Sequence, residues 1–141
     1  MCPLLLSWYM GFIYTIGFTM KNQPVRRRLT YAAGGIRTAL RTEASFRTQV
    51  LLAGMAAALL AVLRPPAVWI ALCVVSAAGV LAAELMNTAL EHLADRLHPE
   101  QHPAIRVAKD CAAAAVLLAS ISALLIGLLT LAVGLHLLDN A

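Results

Sequence analysis

The sequence predicts an all-α integral membrane protein: an N-terminal amphipathic surface helix followed by three transmembrane helices. Three observations predict it. Of the 141 residues, 61% are hydrophobic and 13% charged, whereas a soluble domain carries about 45–50% apolar and about 25% charged residues. The apolar excess falls in three runs that lack Asp, Glu, Lys and Arg. Basic residues gather on either side of those runs in an uneven way that sets an orientation. Mean hydropathy is +0.79, and a single core of this size cannot hide so much apolar surface from water. A water-soluble globular protein is thereby excluded, and the length fits one domain.

Residues 1–20 (MCPLLLSWYMGFIYTIGFTM) are apolar and aromatic, and Lys21, Arg26, Arg27 and Arg28 follow them. A secretory signal carries its positive charge before its apolar region, so the order here is reversed. Two readings remain: an extra span with its N-terminus outside, or upstream sequence with Met20 as the natural start. The second is favoured. The chain is therefore divided into an apolar extension, 1–19, and a membrane domain, 20–141.

Residues 25–47 read as the surface helix. At roughly 100° per residue, Leu29, Ala33, Ile36 and Leu40 share about 60° of arc. Arg27, Thr30, Arg37, Thr38 and Arg41 take the other side. A basic amphipathic helix of this kind lies in the membrane interface, although Gly34 and Gly35 weaken it. Glu43, near its end, falls on the apolar side and so faces the helix bundle.

The three spans come next. A spanning helix needs roughly 20 apolar residues, range about 17–25. Residues 48–63 form a short run whose helix must reach past one end. Residues 67–83 form the second, and residues 111–138 the third. Between 26 and 47 there are six arginines; the Arg64-Pro65-Pro66 turn has one; residues 96–109 carry Arg96, Arg106 and Lys109. Cytoplasmic loops hold the Lys and Arg excess. The surface helix and the 96–109 connection are thus expected inside, the Pro-Pro turn and the C-terminus outside. Trp69 beside that turn reads as an interfacial anchor. His92, His98 and His136 read as facing solvent or headgroups. Cys2, Cys73 and Cys111 define neither a disulfide framework nor a metal spacing.

The second run leads into a polar stripe. Glu84, Asn87, Glu91 and Asp95 share about 80° of arc on a helix with roughly 100° per residue. Counted from Ala67, Glu84 lies about 26 Å along the helix, close to the inner edge of a hydrocarbon core roughly 30 Å thick. A solvated helix end explains Asp95 and Glu91. It does not explain Glu84, which Ala82, Ala83, Leu85 and Met86 surround. An ionisable side chain at that depth is costly and marks function. The third span is read as opening with Lys109-Asp110. A snorkelling anchor is the plain reading of that lysine; beside Asp110 and across a short loop from the stripe, it is better placed for a phosphate.

Clustered carboxylates repel one another unless a cation joins them. Beside a phosphate the hard cation is Mg²⁺, which takes one or two carboxylates together with the substrate's phosphates. Phosphoryl transfer needs that metal, a positive group on the phosphates and a base for the attacking hydroxyl. Glu43, Glu84, Glu91 and Lys109 supply the residue types. No G-x-x-x-x-G-K-[ST] and no kinase glycine loop is present. On residue chemistry alone the reading stops at a metal-dependent membrane enzyme.

The segments TEASFR at 42–47, AELMNTALEHLADRL at 83–97 and AKDCAAAAVLL at 108–118 resemble the prokaryotic diacylglycerol kinase family over roughly residues 20–138. The resemblance implies a homotrimer with three spans and a surface helix per chain and with sites shared between subunits. It implies transfer of the γ-phosphate of ATP, with Mg²⁺, to a lipid hydroxyl at the cytoplasmic side of the bacterial inner membrane. By motif, Glu84 resembles the general base, and Glu43 and Glu91 the metal-bridging carboxylates. Asn87, Asp95, Lys109 and Asp110 resemble nucleotide contacts alongside Glu43 and Glu91; Glu100 and His102 align near the adenosine. Ser45, Phe46 and Arg47 match the segment near the lipid, with Glu84. No nucleic-acid partner is expected. Spans rich in Ala and Gly also favour close packing with neighbours.

The sequence departs from the family at Ala113, where a hydroxyl residue is usual, and at Gly34-Gly35, where a bulkier pair is frequent. The undecaprenol kinase branch usually reads E-x-N-x-R-I-H, against Glu43-Ala44-Ser45-Phe46-Arg47 here, which favours diacylglycerol as acceptor and phosphatidic acid as product. Undecaprenol remains the alternative acceptor. A non-enzymatic scaffold or ion-relay subunit remains a rival class, and the lack of a charge in the middle of any span counts against it.

Overall fold

A computed structural model describes residues 23–97 and 102–135. The extension 1–19, Met20 and Glu100 lie outside the described residues. The described residues form four helices: α1 (Val25–Thr42), α2 (Ala44–Leu63), α3 (Ala67–Leu97) and α4 (Pro103–Gly134). The chain divides between Gly34 and Gly35 into two units. The first contributes only the opening turns of α1 to the described residues. The second holds the end of α1 and the three long helices.

The surface helix was expected to run to residue 47, and here the structure corrects the boundary. Glu43 takes an extended backbone, φ −102° and ψ 116°, so α1 stops at Thr42 and a new helix begins at Ala44. The break is held from both sides. The Arg47 guanidinium donates to the carbonyls of Leu40 and Arg41 at 3.4 and 3.3 Å, satisfying acceptors that a helix end leaves orphaned. Thr42 Oγ1 donates to the Thr38 carbonyl at 3.2 Å. Residues 44–47 thereby pass to α2. This is how the short run 48–63 becomes a helix of 20 residues, the length a span requires.

Arg64 closes α2 in the left-handed region, φ 48° and ψ 50°, with its N–H on the Leu60 carbonyl at 2.9 Å. Prolines 65 and 66 cannot extend α2. Pro66 instead starts the next helix, its carbonyl accepting from Trp69 N at 2.9 Å. The single helix α3 then carries both the second apolar run and the whole polar stripe over 31 residues, about 46 Å at 1.5 Å per residue. That exceeds a hydrocarbon core of roughly 30 Å, so the stripe end projects from it.

The third span also begins earlier than expected. Pro103, whose missing N–H suits the first helical position, follows His102, and His102 Nδ1 accepts from Ala104 N at 3.2 Å. Lys109 and Asp110 therefore sit about two turns inside α4 rather than at its opening. All three long helices are long and apolar enough to cross a membrane. Of these, α3 and α4 pack most extensively against each other, and α2 touches both. At the far end the backbone of Gly134 comes so close to α2 that a Cβ there would lie 3.2 Å from Leu63 Cβ. Deeper between α3 and α4, Thr130 Oγ1 donates to the Ile126 carbonyl at 2.8 Å and lies 3.2 Å from Cys73 Sγ.

Candidate active site on the polar stripe of α3

Helix α3 sets four ligand-type side chains on one face, and α2 and α4 bring the others to it. At the membrane end of the stripe is Glu84, 3% exposed. Its carboxylate is held by two side chains of α2. Ser45 Oγ donates to Oε1, and Gln49 Nε2 donates to Oε2 at 3.3 Å. Positions 45 and 49 are one turn apart and so share a face of α2. Gln49 Oε1 is buried without a partner.

One turn along the stripe, Asn87 Nδ2 donates to Glu91 Oε1 at 3.1 Å, and Asn87 Oδ1 is buried and unpaired. Next to Glu91, His92 Nε2 lies 3.5 Å from Glu43 Oε1, and Thr42 Oγ1 lies 3.0 Å from the same oxygen. The extended backbone at Glu43 therefore sets the start of α2 beside His92 of α3. At its outer end, Asp95 Oδ1 accepts from Lys109 Nζ of α4 at 2.5 Å. The stripe thus reads, from the lipid boundary outward, as a buried carboxylate, an amide–carboxylate pair and a carboxylate–ammonium pair.

The predicted site residues do not all converge. Ser45 of α2 meets Glu84 of α3, Asn87 pairs with Glu91 along α3, Lys109 of α4 meets Asp95, and Glu43, between α1 and α2, stands by His92. Phe46 is 2% exposed and belongs to the core. Arg47 turns to the end of α1, as described above. Asp110 faces Arg106 of its own helix at 3.8 Å, both side chains exposed, and His102 caps α4. Two participants were not predicted. His92 was assigned to solvent or headgroups; it is exposed, yet it stands within reach of Glu43. Gln49 was read only as part of an apolar run. Its signal was there: it is the last polar side chain of α2 before the Pro-Pro turn, one turn from Ser45.

Such an arrangement can accept a proton at a dry boundary and bind cations and phosphates further out. Among the described residues no group of three or more His, Cys, Asp and Glu side chains is arranged to hold a metal ion. A Mg²⁺ shared with phosphates needs only one or two carboxylates, and Glu43 and Glu91 are of the hard oxygen type it takes.

Comparison with known proteins agrees with the resemblance read in the motifs. The family model described as prokaryotic diacylglycerol kinase matches residues 30–131, which include all of the stripe and α2. The chain is 35% identical over 98 residues to a diacylglycerol kinase of Synechocystis sp., covering 69% of this chain and 56% of that relative. Against the Escherichia coli K12 diacylglycerol kinase it is 32% identical over 111 residues, 79% of this chain and 88% of the relative. It is also 43% identical to the undecaprenol kinase of Bacillus subtilis over 51 residues, 36% of this chain and 42% of the relative. The chain thus spans about half the length of the first two curated relatives it resembles, the Synechocystis and Bacillus proteins, and most of the E. coli one. With three membrane-length helices and a family match across most of its length, the chain belongs to the prokaryotic diacylglycerol kinase family.

Proposed function

We propose that the protein is an ATP-dependent lipid kinase that converts diacylglycerol to phosphatidic acid at the cytoplasmic face of the bacterial inner membrane. The observation that carries this reading is Glu84: a carboxylate 3% exposed, at the lipid end of a stripe whose outer end has the Asp95–Lys109 pair. A lipid hydroxyl stays at the boundary while the triphosphate stays in water, and the stripe runs between the two.

In this mechanism the hydroxyl oxygen of the lipid forms a bond to the γ-phosphorus as the bond from that phosphorus to the β,γ-bridging oxygen breaks. Glu84 receives the hydroxyl proton and ADP leaves. Glu43 and Glu91 would hold a Mg²⁺, which would supply charge neutralisation on the phosphates. Lys109, released from Asp95, is the cation for the phosphates; Asn87, Asp95 and Asp110, with Glu100 and His102, serve the nucleotide. Ser45 and Arg47, both exposed, line the approach of the lipid, and Phe46, buried in the core, supports that segment from within. In a homotrimer, neighbouring chains would cover the exposed spans and complete each site.

Undecaprenol is the second acceptor considered, and its support is the 43% identity to an undecaprenol kinase over residues that make up 36% of this chain. Purified protein in nanodiscs, given ATP, Mg²⁺ and either diacylglycerol or undecaprenol, separates the two. Faster turnover of diacylglycerol is expected. Equal or greater turnover of the polyprenol overturns the choice of acceptor, and no turnover of either overturns the kinase reading.

A further inference from the structure

We propose that Gln49, with Ser45, is a positioning residue that fixes the carboxylate of Glu84 for proton transfer. The proposal rests on the reading of Glu84 as the base. Beyond Gln49, α2 is wholly apolar up to Arg64, so this amide is the deepest polar side chain on its helix. Polar groups at such depth are kept where they act. Its neighbour Thr48 turns back to its own helix, Oγ1 to the Ala44 carbonyl at 3.1 Å. Gln49 instead reaches across to α3, with Nε2 3.3 Å from Glu84 Oε2.

Ser45 meets the other oxygen of the same carboxylate. A carboxylate oxygen has two acceptor positions. One donor on each oxygen fixes the plane of the group and still leaves one position per oxygen for an incoming hydroxyl. The direction of the Gln49 amide follows from the same contact, because reversing it would set its oxygen against the carboxylate. Its Oε1 then remains buried and unpaired. A side chain that only filled space would not strand an acceptor there, since an apolar one of the same shape would do as well. The unpaired oxygen is what it costs to present the donor to Glu84.

The test compares the full-length protein with Gln49→Met, which keeps length and removes the donor, and with Ser45→Ala at the exposed start of α2. Two readouts are taken in nanodiscs. In the infrared spectrum, the carboxylate stretch of Glu84 is identified by its disappearance in Glu84→Gln. That band is expected to shift in both variants, and kcat is expected to fall about tenfold, a part of the 10²–10⁴ that a positioned base supplies. KM for ATP is expected to stay within about twofold, because the phosphate contacts lie further out along the stripe. Ser45→Thr restores the hydroxyl and should restore both readouts. An unshifted band in Gln49→Met and Ser45→Ala overturns the proposal, as does a wild-type kcat in both. If Gln49→Met does not fold, the Ser45→Ala and Ser45→Thr pair decides on the same criteria. Failure of the underlying reading is distinguishable: Glu84→Gln would then retain turnover whatever the band does.

Discussion

Single residues on α3 differ in what their removal should do, although they share a stripe. Glu84 is buried and held by two donors from α2, so Glu84→Gln keeps the shape and the Gln49 contact region while removing the proton acceptor. Turnover should fall by about 10²–10⁴; near-wild-type turnover would refute the assignment of the base. Glu91 is half-buried and bonded to Asn87 at 3.1 Å. Its conversion to Gln should raise the Mg²⁺ concentration needed for half-maximal rate or abolish turnover, and an unchanged Mg²⁺ titration would remove it from the metal. Glu84 was legible in the sequence because a charge amid Ala82, Ala83, Leu85 and Met86 contradicts its surroundings. Gln49 was not, because one polar residue at the start of an apolar run looks like a frayed end until a second helix supplies its partner. The same holds for His92, whose neighbour Glu43 is 49 positions away in the chain.

Among the elements, α3 was the most legible: an apolar run and a stripe of 3.6-residue period form one uninterrupted helix. The break between α1 and α2 was not, since no Gly or Pro marks it. A single extended residue, Glu43, makes the break, and the caps from Arg47 come from beyond it. The start of α4 was marked by Pro103, yet the charge of Lys109-Asp110 suggested a later boundary. Besides the Asp95–Lys109 pair, the packing of α3 on α4 has a polar pin deep in the apolar region, in which Thr130, 2% exposed, lies 3.2 Å from Cys73 Sγ. Interhelical hydrogen bonds in membranes contribute about 0.6–2 kcal/mol. Thr130→Val keeps the volume and removes the hydroxyl, so it should lower stability by about 1 kcal/mol without changing KM for ATP. Unfolding in graded denaturing detergent measures the first and steady-state kinetics the second. Unaltered stability would mean that the hydroxyl satisfies only its own helix, through Ile126.

For the molecule as a whole, apolar surface is the governing fact. In the 18-residue apolar windows of the three membrane-length helices, 6% to 11% of residues are buried within one chain, so lipid or further copies of the chain cover the rest. Two different single-site variants provide a test of shared sites. On the proposed mechanism Glu84→Gln lacks the base and Glu91→Gln a metal carboxylate, and at limiting Mg²⁺ each alone is expected to give little or no turnover. Suppose the base and the metal carboxylates of one site come from adjacent chains of a cyclic trimer. Random reassembly of the two variants in equal amounts then yields both intact groups in about a quarter of the sites. Unmixed variants, or variants mixed without dissociation, yield none. If instead one chain supplies both groups, every site lacks one of them in any mixture, and no activity returns. Reassembly from denaturing detergent followed by a lipid kinase assay therefore distinguishes the two arrangements, and recovery near a quarter of wild-type activity is the outcome expected for the shared site.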